Sequence, residues 1–110
     1  MRLPVPVLML FSAAVTTAQA QAAADSAAIR ATALDYAEGW YEGNADRMAR
    51  ALHPELVKRI VVRDTTTGKS MVQGMGASML VNSTRHGHGK ETPKERQQKE
   101  VTILDIFGNA

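Results

Sequence analysis

The chain has 110 residues, a formal charge of +2 and 45% hydrophobic residues. That composition suits one small globular domain and excludes collagen-like, coiled-coil and wholly disordered chains. It contains no cysteine, which excludes a disulfide scaffold, a thiolate metal site, a catalytic thiol and a lipid anchor on an N-terminal cysteine.

Met1-Arg2 opens the chain with a positive charge, and Leu3 to Val15 is uncharged and mostly apolar. Thr16-Thr17 follows, then Ala18-Gln19-Ala20, which fits an A-x-A cleavage pattern. This layout predicts a secretory signal peptide over residues 1–20, cleaved after Ala20. The apolar run is shorter than the roughly 20 residues that span a bilayer, and Pro4 and Pro6 weaken a helix at its start. A secreted or periplasmic protein follows, with no membrane association once the segment is removed; an uncleaved anchor is the other reading. Loss of Arg2 brings the remaining residues close to neutrality, so no basic footprint for nucleic acid is left.

Residues 21–26 read as a flexible leader in which Asp25 and Ser26 supply N-caps. A helix is predicted over 27–42, with Ile29, Ala33, Tyr36 and Trp40 on one stripe and Arg30, Asp35, Glu38 and Glu42 pointing elsewhere. Gly43 stops it. Asn44 caps a shorter helix with Met48, Ala51 and Leu52 on its apolar side, and Pro54 ends that. Val57 to Arg63 alternates as a strand, Thr65 to Gly68 turns, and Lys69 to Val72 returns. A weaker helix is predicted over 74–84, because Gly74 and Gly76 lower its propensity. Residues 82–98 read as a long flexible loop. Val101 to Phe107 is apolar on both faces, which predicts a strand inside a sheet, followed by a Gly108-Asn109 hairpin turn. A strand of that kind needs partners on both edges, so the chain reads as the first part of a longer domain.

This order of elements resembles the start of the nuclear transport factor 2-like α+β fold, in which helices pack on a curved antiparallel sheet. The segments Ala33 to Asn44, Ala51 to Leu56, Lys58-Arg59 and Val101 to Ala110 are similar to the family labelled putative lumazine-binding or SnoaL-like. The resemblance spans about residues 27–110. It implies a cone-shaped pocket, completed in the family by about three further strands that also form a dimer surface. The expected fold is therefore this α+β architecture, incomplete at its C-terminus, with a homodimer as the partner state.

The resemblance places the first helix over the pocket. Tyr36 and Trp40 then become ligand-binding candidates, the indole by stacking and the phenol by donating a hydrogen bond. A core role holding the helix to the sheet competes for both. His53, before Pro54, is a ligand-binding candidate and a candidate base, set against a structural role at a helix end. Met75 and Met79 belong to a four-residue row with Met71 that suits an adaptable pocket or, equally, a core. Asp64, near Arg63 and Lys69, is the other candidate base, set against a solvated turn residue. His86-Gly87-His88 with Glu91 offers too few ligands for zinc, and no metal or cofactor is called for. Arg85 to Lys99 alternates basic and acidic residues without aromatics, which gives nucleic acid no stacking platform. The leading expectation is an exported protein that binds a small hydrophobic or aromatic ligand without catalysis. An isomerase or dehydratase working by proton transfer in the same pocket is one alternative, and a non-functional truncated fragment is another.

Overall fold

The computed structural model describes residues 9–107. Residues 1–8 of the predicted leader and the predicted Gly108-Asn109 turn lie outside them. In chain order the elements are α1 (Met9–Glu42), α2 (Ala45–Ala51), β1 (Val57–Arg63), β2 (Ser70–Gly76) and α3 (Ala77–Arg85). Two single 3-10 turns follow, His88–Glu91 and Lys94–Arg96. The class is α+β, as expected. Residues 32–101 form one compact unit, and 9–31 with 102–107 form a second.

Helix α1 starts far earlier than its predicted cap. Residues 18–28 are rich in alanine, the strongest helix former, and contain neither glycine nor proline. Asp25 caps nothing; its carboxylate accepts from the Gln21 amide at 2.9 Å, a pair one helical turn apart that supports a continuous helix. Residues 21–26 are therefore helix rather than a flexible leader.

The end of α1 is built as predicted, and more tightly. Gly43 takes a left-handed φ of 69°. The Asn44 N–H then reaches the Gly39 carbonyl at 2.8 Å and the Gly43 N–H reaches that of Trp40 at 3.3 Å. This double closure satisfies two carbonyls that a helix end leaves open. The same Asn44 starts α2, its side-chain oxygen accepting from the Arg47 N–H at 3.1 Å. Two residues thus separate the helices. Gly39 lets them approach, since a β-carbon there would stand 3.1 Å from that of Arg47.

Strands β1 and β2 form an antiparallel two-stranded sheet, with Val57 opposite Gly76 and Arg63 opposite Ser70. The return strand is longer than predicted. Gly74 and Gly76, poor in a helix, stay in the ladder opposite Arg59 and Val57, and α3 begins only at Ala77. Lys58, Ile60 and Val62 share one face with Met75, Gln73 and Met71, because directly opposed residues point the same way. On the other face Val61 and Val72 stand opposed and exposed, at 70% and 65%.

Helices α2 and α3 meet around Met48, Leu80, Ala77 and Thr84, all buried. The Thr84 hydroxyl returns a 2.8 Å hydrogen bond to the Leu80 carbonyl, so no unpaired polar atom enters this core.

The region after α3 is not the long flexible loop expected. Gly87 turns left-handed with φ 78° and starts the first 3-10 turn. The Lys90 stem lies beside Gly43 and Gly87, and the Tyr41 hydroxyl accepts from the Gln98 N–H at 3.1 Å. Glycines suggested mobility, whereas here they permit close approach.

The predicted strand over 101–107 is absent. Among the described residues the sheet has two strands, and residues 101–107 belong to neither. An apolar sequence becomes a strand only when a ladder partner satisfies its backbone. Leu104 and Phe107 are 92% and 79% exposed, and the Asp105 carboxylate accepts from the N–H of its neighbour Ile106 at 2.8 Å.

Candidate functional site

The residue that joins α1 to the sheet is Tyr36. It is half-buried on the inward stripe of the helix, and Lys58 of β1 donates to its hydroxyl at 2.9 Å. The ammonium lies 5.6 Å from the ring centroid. That length nearly equals the hydrogen bond plus the span from ring centre to oxygen, so the ammonium sits beyond the hydroxyl and not over the ring face. A hydrogen bond holds the pair, with little cation–π attraction. Because Lys58 donates, the phenol keeps its own proton for another acceptor.

Met75 stands directly opposite Lys58 in the ladder and is half-buried, which places the thioether next to the pair on the same face. Ile60 and Gln73 are the next pair along. An ammonium, a phenol and an amide are thus set beside an apolar floor.

Trp40 is one turn further along α1 but has a different neighbour. It is half-buried, and Gly89 of the first 3-10 turn presses on it so closely that a β-carbon there would overlap the Trp40 carbonyl. The two aromatic candidates share a helix stripe; one faces β1 and the other carries the segment after α3. The competing structural reading therefore describes Trp40 well.

The remaining candidates stand apart from this site. His53 is exposed at the α2–β1 corner, and its Nδ1 accepts from the Glu55 N–H at 3.2 Å, a local turn contact. Met79 is 55% exposed on α3. Met71, Met75 and Met79 lie on a strand and a helix, so their four-residue spacing makes no single row.

Asp64 follows the last residue of β1. Six residues of extended strand at roughly 3.3 Å each put it about 20 Å from Lys58. Its carboxylate accepts from the Thr67 hydroxyl at 2.7 Å and from the N–H groups of Thr66 at 2.8 Å and Thr67 at 3.4 Å. The Thr67 hydroxyl first, then those amides, hold its pKa below the ordinary carboxylate value. A carboxylate stabilised in this way is a weaker base, and it organises the turn.

An ion-pair cluster at the α1–α2 corner has no counterpart in the sequence reading. Arg47 of α2 reaches three carboxylates of α1: Asp35 at 2.8 Å, Glu38 at 2.6 Å and Glu42 at 3.2 Å. Arg50 adds a contact to Asp35 at 3.2 Å. Arg47, then Arg50, holds the Asp35 carboxyl below its ordinary pKa, and the three acids push the Arg47 guanidinium higher still. The signal was the spacing of the acids at i, i+3 and i+7, which lines them along one side of a helix. Arg47 and Arg50 are both paired with these acids, so the cluster clamps two helices and leaves neither cation unpaired for a ligand.

His86 and His88 have ring centroids 6.4 Å apart, and the His86 Nδ1 is 2.8 Å from the Asn82 carbonyl. Among the described residues no group of three or more histidines or acids is placed to hold a metal ion. Among them also, no helix is long and apolar enough to cross a membrane.

A family model described as "Putative lumazine-binding" matches residues 24–110. No curated protein and no solved structure matches the chain.

Proposed function

The chain belongs to the putative lumazine-binding family, and from that premise we propose that it is an exported protein that binds a small, flat, aromatic ligand without chemical turnover. The family description supports ligand binding as the activity. The α+β arrangement agrees with a nuclear transport factor 2-like fold.

One observation carries the reading: the Tyr36 hydroxyl and the Lys58 ammonium, 2.9 Å apart, stand beside Met75 and Ile60 on the face of the sheet that meets α1. A few placed polar groups against an apolar surface are what orient a small ligand. The distance of Asp64 from this face, and the local engagement of Asp64 and His53, favour binding over proton transfer.

Export rests on Met1-Arg2, the apolar run to Val15 and Ala18-Gln19-Ala20. Ala18, Gln19 and Ala20 are exposed on α1.

The test uses Trp40, the only tryptophan, one helical turn from Tyr36. Titration with pteridine-, flavin- and quinoline-type heterocycles should give a saturable change in its emission with at least one compound. A flat response to all of them, confirmed by ligand-observed NMR, overturns the proposal.

A further inference from the structure

The cations of this chain are not equivalent. Arg47 and Arg50 are neutralised by acids of α1. Lys58 is exposed, and among the described residues no carboxylate stands within ion-pair distance of its ammonium. Its hydrogen-bond partner is the Tyr36 phenol, a neutral group that leaves the positive charge uncompensated. The ammonium therefore has hydrogen atoms to spare, and the phenol has a proton to donate.

Resting on the ligand-binding reading, we propose that this pair selects for negative charge: the ligand is a planar aromatic anion, and its oxyanion or carboxylate accepts from both Lys58 Nζ and Tyr36 Oη. The 2.9 Å between these donors lets one carboxylate take a bond from each. The ammonium stands off the hydroxyl end of the ring, so it does not itself cover the Tyr36 ring faces. The aromatic part of the ligand lies along Ile60 and Met75, and Gln73 offers an amide on the same face. A neutral ligand could accept the same hydrogen bonds but without the charge–charge attraction. Lys58 is then a specificity residue for the same site, acting through a direct charge-assisted hydrogen bond.

The experiment compares two probes of nearly equal shape, quinoline-2-carboxylate and quinoline-2-carboxamide, by ligand-observed NMR on the full protein. The carboxylate should bind at least about tenfold more tightly than the amide, in keeping with a hydrogen bond to a charged group. Lys58→Met should lower carboxylate affinity much more than carboxamide affinity and so erase the preference, and Lys58→Arg should keep it. Far-ultraviolet circular dichroism establishes that each variant folds. Equal binding of the two probes to the unaltered protein, or a preference that survives Lys58→Met, overturns the charge selection and leaves ligand binding standing. Binding of neither probe, nor of any compound in the heterocycle series, overturns both.

Discussion

Gly89 and Trp40 touch through their backbones. The 3-10 turn comes so near α1 that the hydrogen of Gly89 occupies space no methyl group can enter, with the Trp40 carbonyl on one side and its indole Cδ1 on the other. What the sequence suggests as a mobile glycine is a spacer of zero thickness between two elements.

Gly89→Ala should therefore destabilise the protein by about 1–3 kcal/mol, the usual cost of forcing a methyl group into filled space. Gly76→Ala is the control. It has open space around it and an ordinary negative φ of −73°, so it should stay within about 1 kcal/mol of the parent or stabilise slightly. Urea unfolding of both variants, followed by Trp40 emission, checks the contrast. Equal effects would show that the close approach does not exist in solution.

Arg47→Met should lower the urea midpoint more than Arg50→Met does. It removes the cation that Asp35, Glu38 and Glu42 share, which leaves Glu38 and Glu42 without their partner and Asp35 with Arg50 alone. Arg47→Lys should recover only part of the loss, because an ammonium cannot match the spread of a guanidinium across three partners. Full recovery by lysine would mean that net charge, and not geometry, holds the corner.

Acid should weaken the fold in a defined direction. Asp35 and Asp64 both have folded pKa values below the ordinary 3.8. The unfolded chain then takes up protons first as pH falls. Their stabilising contribution is complete well above 3.8 and is lost as pH drops through that value toward the lower folded ones. Urea midpoints should be level above about pH 5 and decline below about pH 4. Asp35→Asn should flatten part of that decline. A midpoint that rises on acidification contradicts the assignment.

Export makes a mass prediction. Protein recovered from the exported fraction should begin at Gln21, with residues 1–20 removed. Intact-mass spectrometry reads this directly, and a chain that retains Met1 or starts elsewhere removes the assigned cleavage site.

Local chemistry was readable from sequence wherever one residue decides the outcome. Gly43 and Asn44 announce a stop and a start, and both act as such. The alternation around Ile60 and Val62 locates β1 and its inner face. The readings that failed depended on partners elsewhere in the chain. Val101 to Phe107 has strand composition but joins no sheet among the described residues. Asp25 looks like a cap until Gln21, one turn earlier, is seen to hold it inside a helix. The inward position of Tyr36 was legible from its place on the α1 stripe. Lys58 was not, because a lysine beside a strand's apolar positions reads as solvent-facing until Tyr36 is placed next to it. The acids of α1 read only as pointing away from its apolar stripe, and their cation lies beyond a corner whose sharpness only the folded backbone reveals.

The Gly43-Asn44 corner also limits how this chain can change. Asn44 closes one helix with its backbone N–H and opens the next with its side chain, so an inserted or deleted residue breaks at least one of those bonds. It would also rotate Arg47 off the row formed by Asp35, Glu38 and Glu42. Tyr36 lies between Asp35 and Glu38 in sequence, on a different side of α1, where it meets Lys58. A length change at the corner would thus be felt at the Tyr36–Lys58 pair through the tilt of α1, which ties the geometry of that pair to the length of a two-residue connection.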